Sequence, residues 1–196
     1  SEARLRVLRF GAVFSNCGFM SLPLQQALLG DDGVFYGAVF VAVFNLFVWS
    51  YGLVMMSGDI KQVSPKKIIT NPGIIGVIIG MIIFFGQISI PEVISKPIGY
   101  FAALNTPVPM VIIGYHLSKV NILSALKDAK MYVAILIRLV LAPIITLLIM
   151  WAFRVDTTIL VACIIAEAAP TAAITTMFSD KYERATGLSV DLVSIS

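Results

Sequence analysis

The chain has 196 residues, of which 59% are hydrophobic and only 13% charged, and its mean hydropathy is +0.95. Soluble domains run nearer half apolar and a quarter charged, so a water-soluble globule could not hide this much apolar surface and the composition is that of an integral membrane protein. A net charge of +3 is too small to point to nucleic acid, and its distribution along the chain carries more information than its size.

Windows of about 20 apolar residues mark membrane spans, and they give an all-α chain of six spans and the start of a seventh. Segment A, residues 10–29, follows Arg4, Arg6 and Arg9 and reads FGAVFSNCGFMSLPLQQALL. Its middle holds Ser15, Asn16, Gly18, Ser21 and Pro23, poor residues for an uninterrupted helix. Pro23 has no N–H and clashes with a carbonyl one turn back, which predicts a break just before it. In lipid such a break survives only where the freed backbone groups are buried in protein or line a wet cavity. Gly30 to Gly33 is a tight turn, and segment B, residues 34–57, carries no charge. Its aromatic residues (Phe35, Tyr36, Phe40, Phe44, Phe47, Trp49, Tyr51) read as lipid-facing and interfacial, and Asn45 as a packing residue.

A polar loop, residues 58–70, brings Lys61, Lys66 and Lys67. Segment C, residues 71–88, opens on Asn71-Pro72. After a short loop with Glu92 and Lys96, segment D, residues 97–117, is interrupted by Asn105-Thr106-Pro107-Val108-Pro109. The loop from Ser118 to Lys130 has the spacing of a short interfacial helix. Segment E covers residues 131–153 with Arg138 inside it. Segment F, residues 157–178, reads TTILVACIIAEAAPTAAITTMF, with Pro170 at mid-span and Glu167 one turn earlier. A polar turn, SDKYERAT, leads to segment G, residues 187–196, which is too short to span, since ten helical residues cover about 15 Å of a roughly 30 Å core.

With the N-terminus cytoplasmic, loops on that side hold eleven of the fourteen Lys and Arg, whereas the opposite side holds only Lys96 and Arg154. This is the positive-inside pattern. Segments A and F then run in opposite directions, each interrupted at mid-span, as in an inverted repeat. Segments C to G form one five-span unit. A and B form the last two spans of the preceding unit, so the chain reads as a piece of a protein of about ten spans arranged five plus five.

FSNCGFMSLPL resembles the asparagine–glycine–proline motif of the auxin efflux carrier family, which includes bacterial malate and malonate permeases and plant auxin carriers. Asn71-Pro72, LNTPVPMVIIGYHL, AEAAPTAAITTMFSDKY and the closing LSVDLVSIS resemble that family in the same order. The resemblance implies a ten-span inverted repeat whose fourth and ninth spans, here A and F, are crossing broken helices. It also implies a carrier for organic anions, where the residues alone stop at a secondary transporter.

A broken helix offers free N–H groups and a positive dipole end, which suit a carboxylate. The expected substrate site is Ser15, Asn16, Gly18 and Pro23 from A facing Ala169, Pro170 and Thr171 from F, with Asn105 contributing from D. For Asn16 the alternative is an interhelical hydrogen bond. Charges at mid-bilayer are costly and usually pair or line a pathway. Arg138 therefore binds the anion, pairs with Glu167 or snorkels to the cytoplasmic face. Glu167 is either a protonatable coupling group or half of a structural pair, and Asp191 is a weaker candidate of the same kind.

No cofactor is expected, and whether H⁺ or Na⁺ couples to transport stays open. Cys17 and Cys163 lie in apolar segments as packing residues. The partners are a small organic anion, the lipid bilayer and a second copy in a homodimer, with no nucleic acid. The absence of a Ser/His/Asp set, metal cluster or nucleotide loop disfavours an enzyme. The rival class is a sensor module that binds a lipid or small ligand on the same fold without moving it.

Overall fold

A computed structural model describes residues 2–59, 72–104, 107–108, 111, 114–115, 118 and 128–196. Asn71, Asn105, His116 and the loop residues 60–70 and 119–127 lie outside these. Among the described residues the regular structure is helical: α1 (Glu2–Val13), α2 (Leu22–Phe47), α3 (Leu53–Ser57), α4 (Pro72–Phe85), α5 (Glu92–Ala103), α6 (Ala129–Leu136), α7 (Ala142–Ala152), α8 (Thr157–Glu167), α9 (Ile174–Lys181) and α10 (Thr186–Ile195). Of three π-helical turns, Cys17–Ser21 leads into α2, Val48–Gly52 joins α2 to α3 and Ile137–Leu141 joins α6 to α7. The continuous runs Cys17–Ser57 and Ala129–Ala152 are long and apolar enough to cross a membrane.

The first run does not cross as one rod, because α2 turns back at Gly30. Its φ of 64° and ψ of −145° suit glycine alone. A Cβ added at Gly37 would lie 1.7 Å from Gln25 Oε1 and 2.8 Å from Leu22 Cδ2. In a straight helix residues 22 and 37 would stand roughly 22 Å apart, so the two limbs of α2 lie side by side. Gln25, wholly buried, crosses this seam and its Nε2 donates to the Ala162 carbonyl of α8 at 2.7 Å. It ties the short limb to the neighbouring helix.

Helix α1 is already formed at Glu2, ahead of Phe10, and Glu2 pairs with Arg6 one turn on. Likewise α5 starts at Glu92 rather than at Pro97, with Lys96 bonded to Glu92 at 2.8 Å. Asp156 caps α8 by accepting from Thr158 N at 2.8 Å, and Asp128 caps α6 by accepting from Lys130 N at 3.1 Å.

Helix α1 is the centre of the molecule, packed against α3, α6, α9 and α10. It runs parallel to α6, since Arg4 pairs with Asp128 at one end and Arg138 reaches Val13 at the other. The core is Val7, Phe10, Phe14, Met56, Met131, Phe178 and Leu192, with ring centroids 4.5 Å apart for Phe10–Phe14 and 5.7 Å for Phe10–Phe178. Inside a bilayer such contacts act through van der Waals packing rather than exclusion of water.

Gly37→Ala should therefore destabilise the protein by about 1–3 kcal/mol, since the new methyl displaces Gln25 from Ala162. Gly80→Ala, with nothing within 4 Å of its Cβ, should not. Thermal melts of both variants in one detergent check this, and equal shifts would contradict it.

Candidate functional site

Two helices stop in the middle of the molecule. Helix α8 ends at Glu167 because Pro170 carries no N–H, clashes with the carbonyl one turn back and drives Ala169 out of the helical region. Helix α1 ends at Val13, ahead of Ser15 and Asn16, whose side chains compete for backbone hydrogen bonds. The break in segment A thus falls at Phe14 to Asn16 and not next to Pro23, where the chain forms the π turn Cys17–Ser21 instead. Pro23 follows that π turn, near the start of α2, and it is exposed.

The two breaks satisfy each other. Ser15 and Thr171 oppose one another in an antiparallel bridge. Asn16 N donates to Pro170 O at 2.7 Å, and Ala172 N donates to Phe14 O at 2.9 Å. Thr171 N donates to Ser196 Oγ at 3.1 Å, and Thr171 Oγ1 donates to Gly11 O at 3.3 Å. Each backbone group left unpaired in hydrocarbon costs several kcal/mol, so this reciprocal pairing is what lets both helices stop at that depth.

Arg138 completes the crossing. It lies in the π turn Ile137–Leu141 and has no exposed surface. Its Nη1 donates to Val13 O at 2.6 Å, and its Nη2 donates to both Glu167 O and Glu167 Oε1. One guanidinium thereby caps the last carbonyls of α1 and α8 and neutralises the Glu167 carboxylate. Each helix C-terminus carries about half a negative charge, so the cation sits where two dipole ends and a carboxylate converge. Of the three roles expected for Arg138, the pair with Glu167 is the one observed, and the carbonyl contacts are additional.

A cavity of about 220 Å³ opens beside this crossing, with Ser15 and Glu167 at one end and Phe40, Phe44, Phe47 and Tyr51 along its wall. Four of the aromatic residues expected to face lipid therefore line the cavity. Their steps of four, three and four put them on one face of α2 and the turn beyond it, a stripe that a lipid-facing helix also shows. Of the expected site residues, Ser15 (2% exposed), Asn16 (4%), Ala169 (6%) and Thr171 (0%) are buried at the crossing with the half-buried Pro170. Gly18 does not join them. A Cβ there would meet only Val41, at 4.0 Å, so it faces the second limb of α2. Asn105 lies outside the described residues. Gln25 escaped the sequence reading, although a pair of glutamines in an apolar span was the available signal.

A family model described as membrane transport protein matches residues 1–64 and 58–196. No curated protein and no solved structure matches the chain. The chain belongs to this family of membrane transport proteins, that of the auxin efflux carriers.

Removing the guanidinium should cost about 3–5 kcal/mol, because it strands Glu167 and two carbonyls together. Arg138→Lys should also fail, since one ammonium cannot reach both helix ends in the planar fork of arginine. The double variant Arg138→Met/Glu167→Met should recover only in part, since Val13 O and Glu167 O still lose their donor. The monodisperse fraction surviving heating in detergent measures this, and full recovery in the double variant would assign the carbonyl contacts no weight.

Proposed function

We propose that this member of the membrane transport protein family is a secondary carrier that moves a small organic anion, a dicarboxylate or an auxin-like carboxylate, by alternating access around the crossed helices. The observation that carries this is the cavity of about 220 Å³ that opens onto the point where α1 and α8 are both interrupted. Transporters place substrate sites where discontinuous helices meet near the bilayer midplane. The aromatic wall suits the apolar body of such a ligand, and Ser15 offers a hydroxyl to its polar end.

The intact carrier is read as ten spans in two inverted repeats, with the N-terminus of α1 cytoplasmic and a homodimer as its assembly. The opposed directions of α1 and α8, whose C-termini meet at Arg138, support the inverted relation. Arg154 on the opposite side and the arginines of α1 support the orientation.

Glu167 carries the coupling. A carboxylate substrate in this cavity lies next to a carboxylate side chain, and two such charges at close range cannot both stay ionised in a low dielectric. Occupancy therefore brings a proton to Glu167, which lines the cavity, and loosens its pair with the buried Arg138. Proton and anion then move together. When the proton leaves, Glu167 re-forms its pair and displaces the substrate.

Uptake of labelled malate, malonate and indole-3-acetate into proteoliposomes tests this. Flux should rise as the outside is acidified, and Glu167→Gln should remove that pH dependence. Asn16→Ala and Pro170→Ala should abolish flux while the protein stays folded and inserted. Normal flux in these variants, or saturable binding without flux, would contradict the carrier and favour a sensor.

A further inference from the structure

A second cavity, of about 250 Å³, lies between the start of α1 and the end of α3, with Arg6, Arg9, Tyr51, Met55 and Gly58 in its wall and Glu2 at its rim. Tyr51 also lines the cavity at the crossing. The two therefore share a wall and follow one seam, between α1 and the run from Phe40 to Gly58. Arg9 stands one helical turn, about 6 Å, from Val13 at the crossing.

The mouth of this seam is electropositive. Arg6 is fixed by a bond from Nη1 to Met55 O at 3.0 Å and by its pair with Glu2. Its guanidinium lies flat on the turn at Gly58, where φ is +79° and an added Cβ would come 2.8 Å from the guanidinium carbon. Arg184, anchored by Nη2 to Ser57 O at 3.1 Å, is close enough to help Arg6 hold the Glu2 carboxyl below the usual carboxylate range. Among the residues that line the cavity, Glu2 faces two cations, Arg6 and Arg9. Arg9 is exposed and makes no hydrogen bond or ion pair among the described residues.

We infer that this mouth is a second anion site, a vestibule in which Arg9 holds the carboxylate of the organic anion before it passes Tyr51 into the crossing cavity. This rests on the carrier reading above. The charge order fits a loading path: the anion is drawn to guanidiniums at the mouth, then meets a carboxylate at the inner end, where it settles only with a proton. A cleft lined by one sign of charge raises the local concentration of its counter-ion, an effect that salt screens over about 8 Å at physiological ionic strength. An anionic lipid headgroup offers the mouth the same chemistry, so the lipid must be varied in the test.

Initial rates of labelled malate and indole-3-acetate uptake should be measured for the parent, Arg9→Gln and Arg9→Lys, at low and high KCl. Liposomes should be of phosphatidylcholine alone and of phosphatidylcholine with phosphatidylglycerol. In neutral lipid Arg9→Gln should raise KM about 3–10-fold at low salt with kcat unchanged, and should flatten the salt dependence of KM. Arg9→Lys should restore both. A KM and salt slope equal to the parent's would overturn the vestibule while leaving the carrier intact. An effect of Arg9→Gln confined to liposomes containing phosphatidylglycerol would assign the mouth to lipid and overturn it too. A parent that carries neither compound overturns the carrier reading and the vestibule with it.

Discussion

One buried guanidinium makes the rest of this structure possible. Two helices end in the interior, and their last carbonyls, Val13 O and Glu167 O, point at a common place together with the Glu167 carboxylate. Without a cation there, two negative dipole ends and a full negative charge would face one another in a low dielectric, and the crossing could not persist. Arg138 answers all three at once because a guanidinium is planar and presents several donors in a fixed fork. The π turn Ile137–Leu141 belongs to this arrangement. Extra backbone in a turn re-aims the side chains it carries, and such turns recur at functional sites. A second one, Val48–Gly52, packs Gly52 so closely against Phe10 and Phe14, next to the other break, that a Cβ added there would come 3.0 Å from the Phe10 ring and 3.1 Å from that of Phe14.

The electrical layout of the crossing bears on what it carries. Arg138 and Glu167 cancel, and the negative ends of α1 and α8 are matched by two positive ends, at the π turn Cys17–Ser21 and at α9, neither of which has a side-chain cap. The resting crossing is thus close to neutral. An anion added to the cavity upsets that balance, and on the proposed mechanism a proton on Glu167 restores it.

The helical class, the membrane setting and the chain reversal at Gly30 were legible in composition and turn chemistry. Helix α8 ends at Glu167, three residues before Pro170. The stop in α1 was displaced in the reading, to Pro23, since the true break is held open by a partner more than 150 residues away, through Asn16 N to Pro170 O. No local pattern announces a long-range backbone pair. Arg138 and Glu167 stood out as costly residues, and pairing was one of the outcomes expected, but the capping of carbonyls could not be foreseen from side-chain identities. The aromatic face of α2 was visible as a stripe, and Phe47 and Tyr51 at its end are each 58% exposed, as the lipid-facing reading expects. Only the position of Phe14 and Ser15 across from Phe44 turns it into a cavity wall.

The central claim is that the transported anion occupies the space between that aromatic wall and the crossing. A single reporter cysteine at Phe44, in a background with Cys17→Ser and Cys163→Ser, tests it through the rate of modification by a small membrane-permeant maleimide. The transported anion should slow modification in a saturable way, with half-protection near its transport KM and no protection from an anion that is not carried. A modification rate indifferent to a transported anion would place the substrate elsewhere and contradict the account.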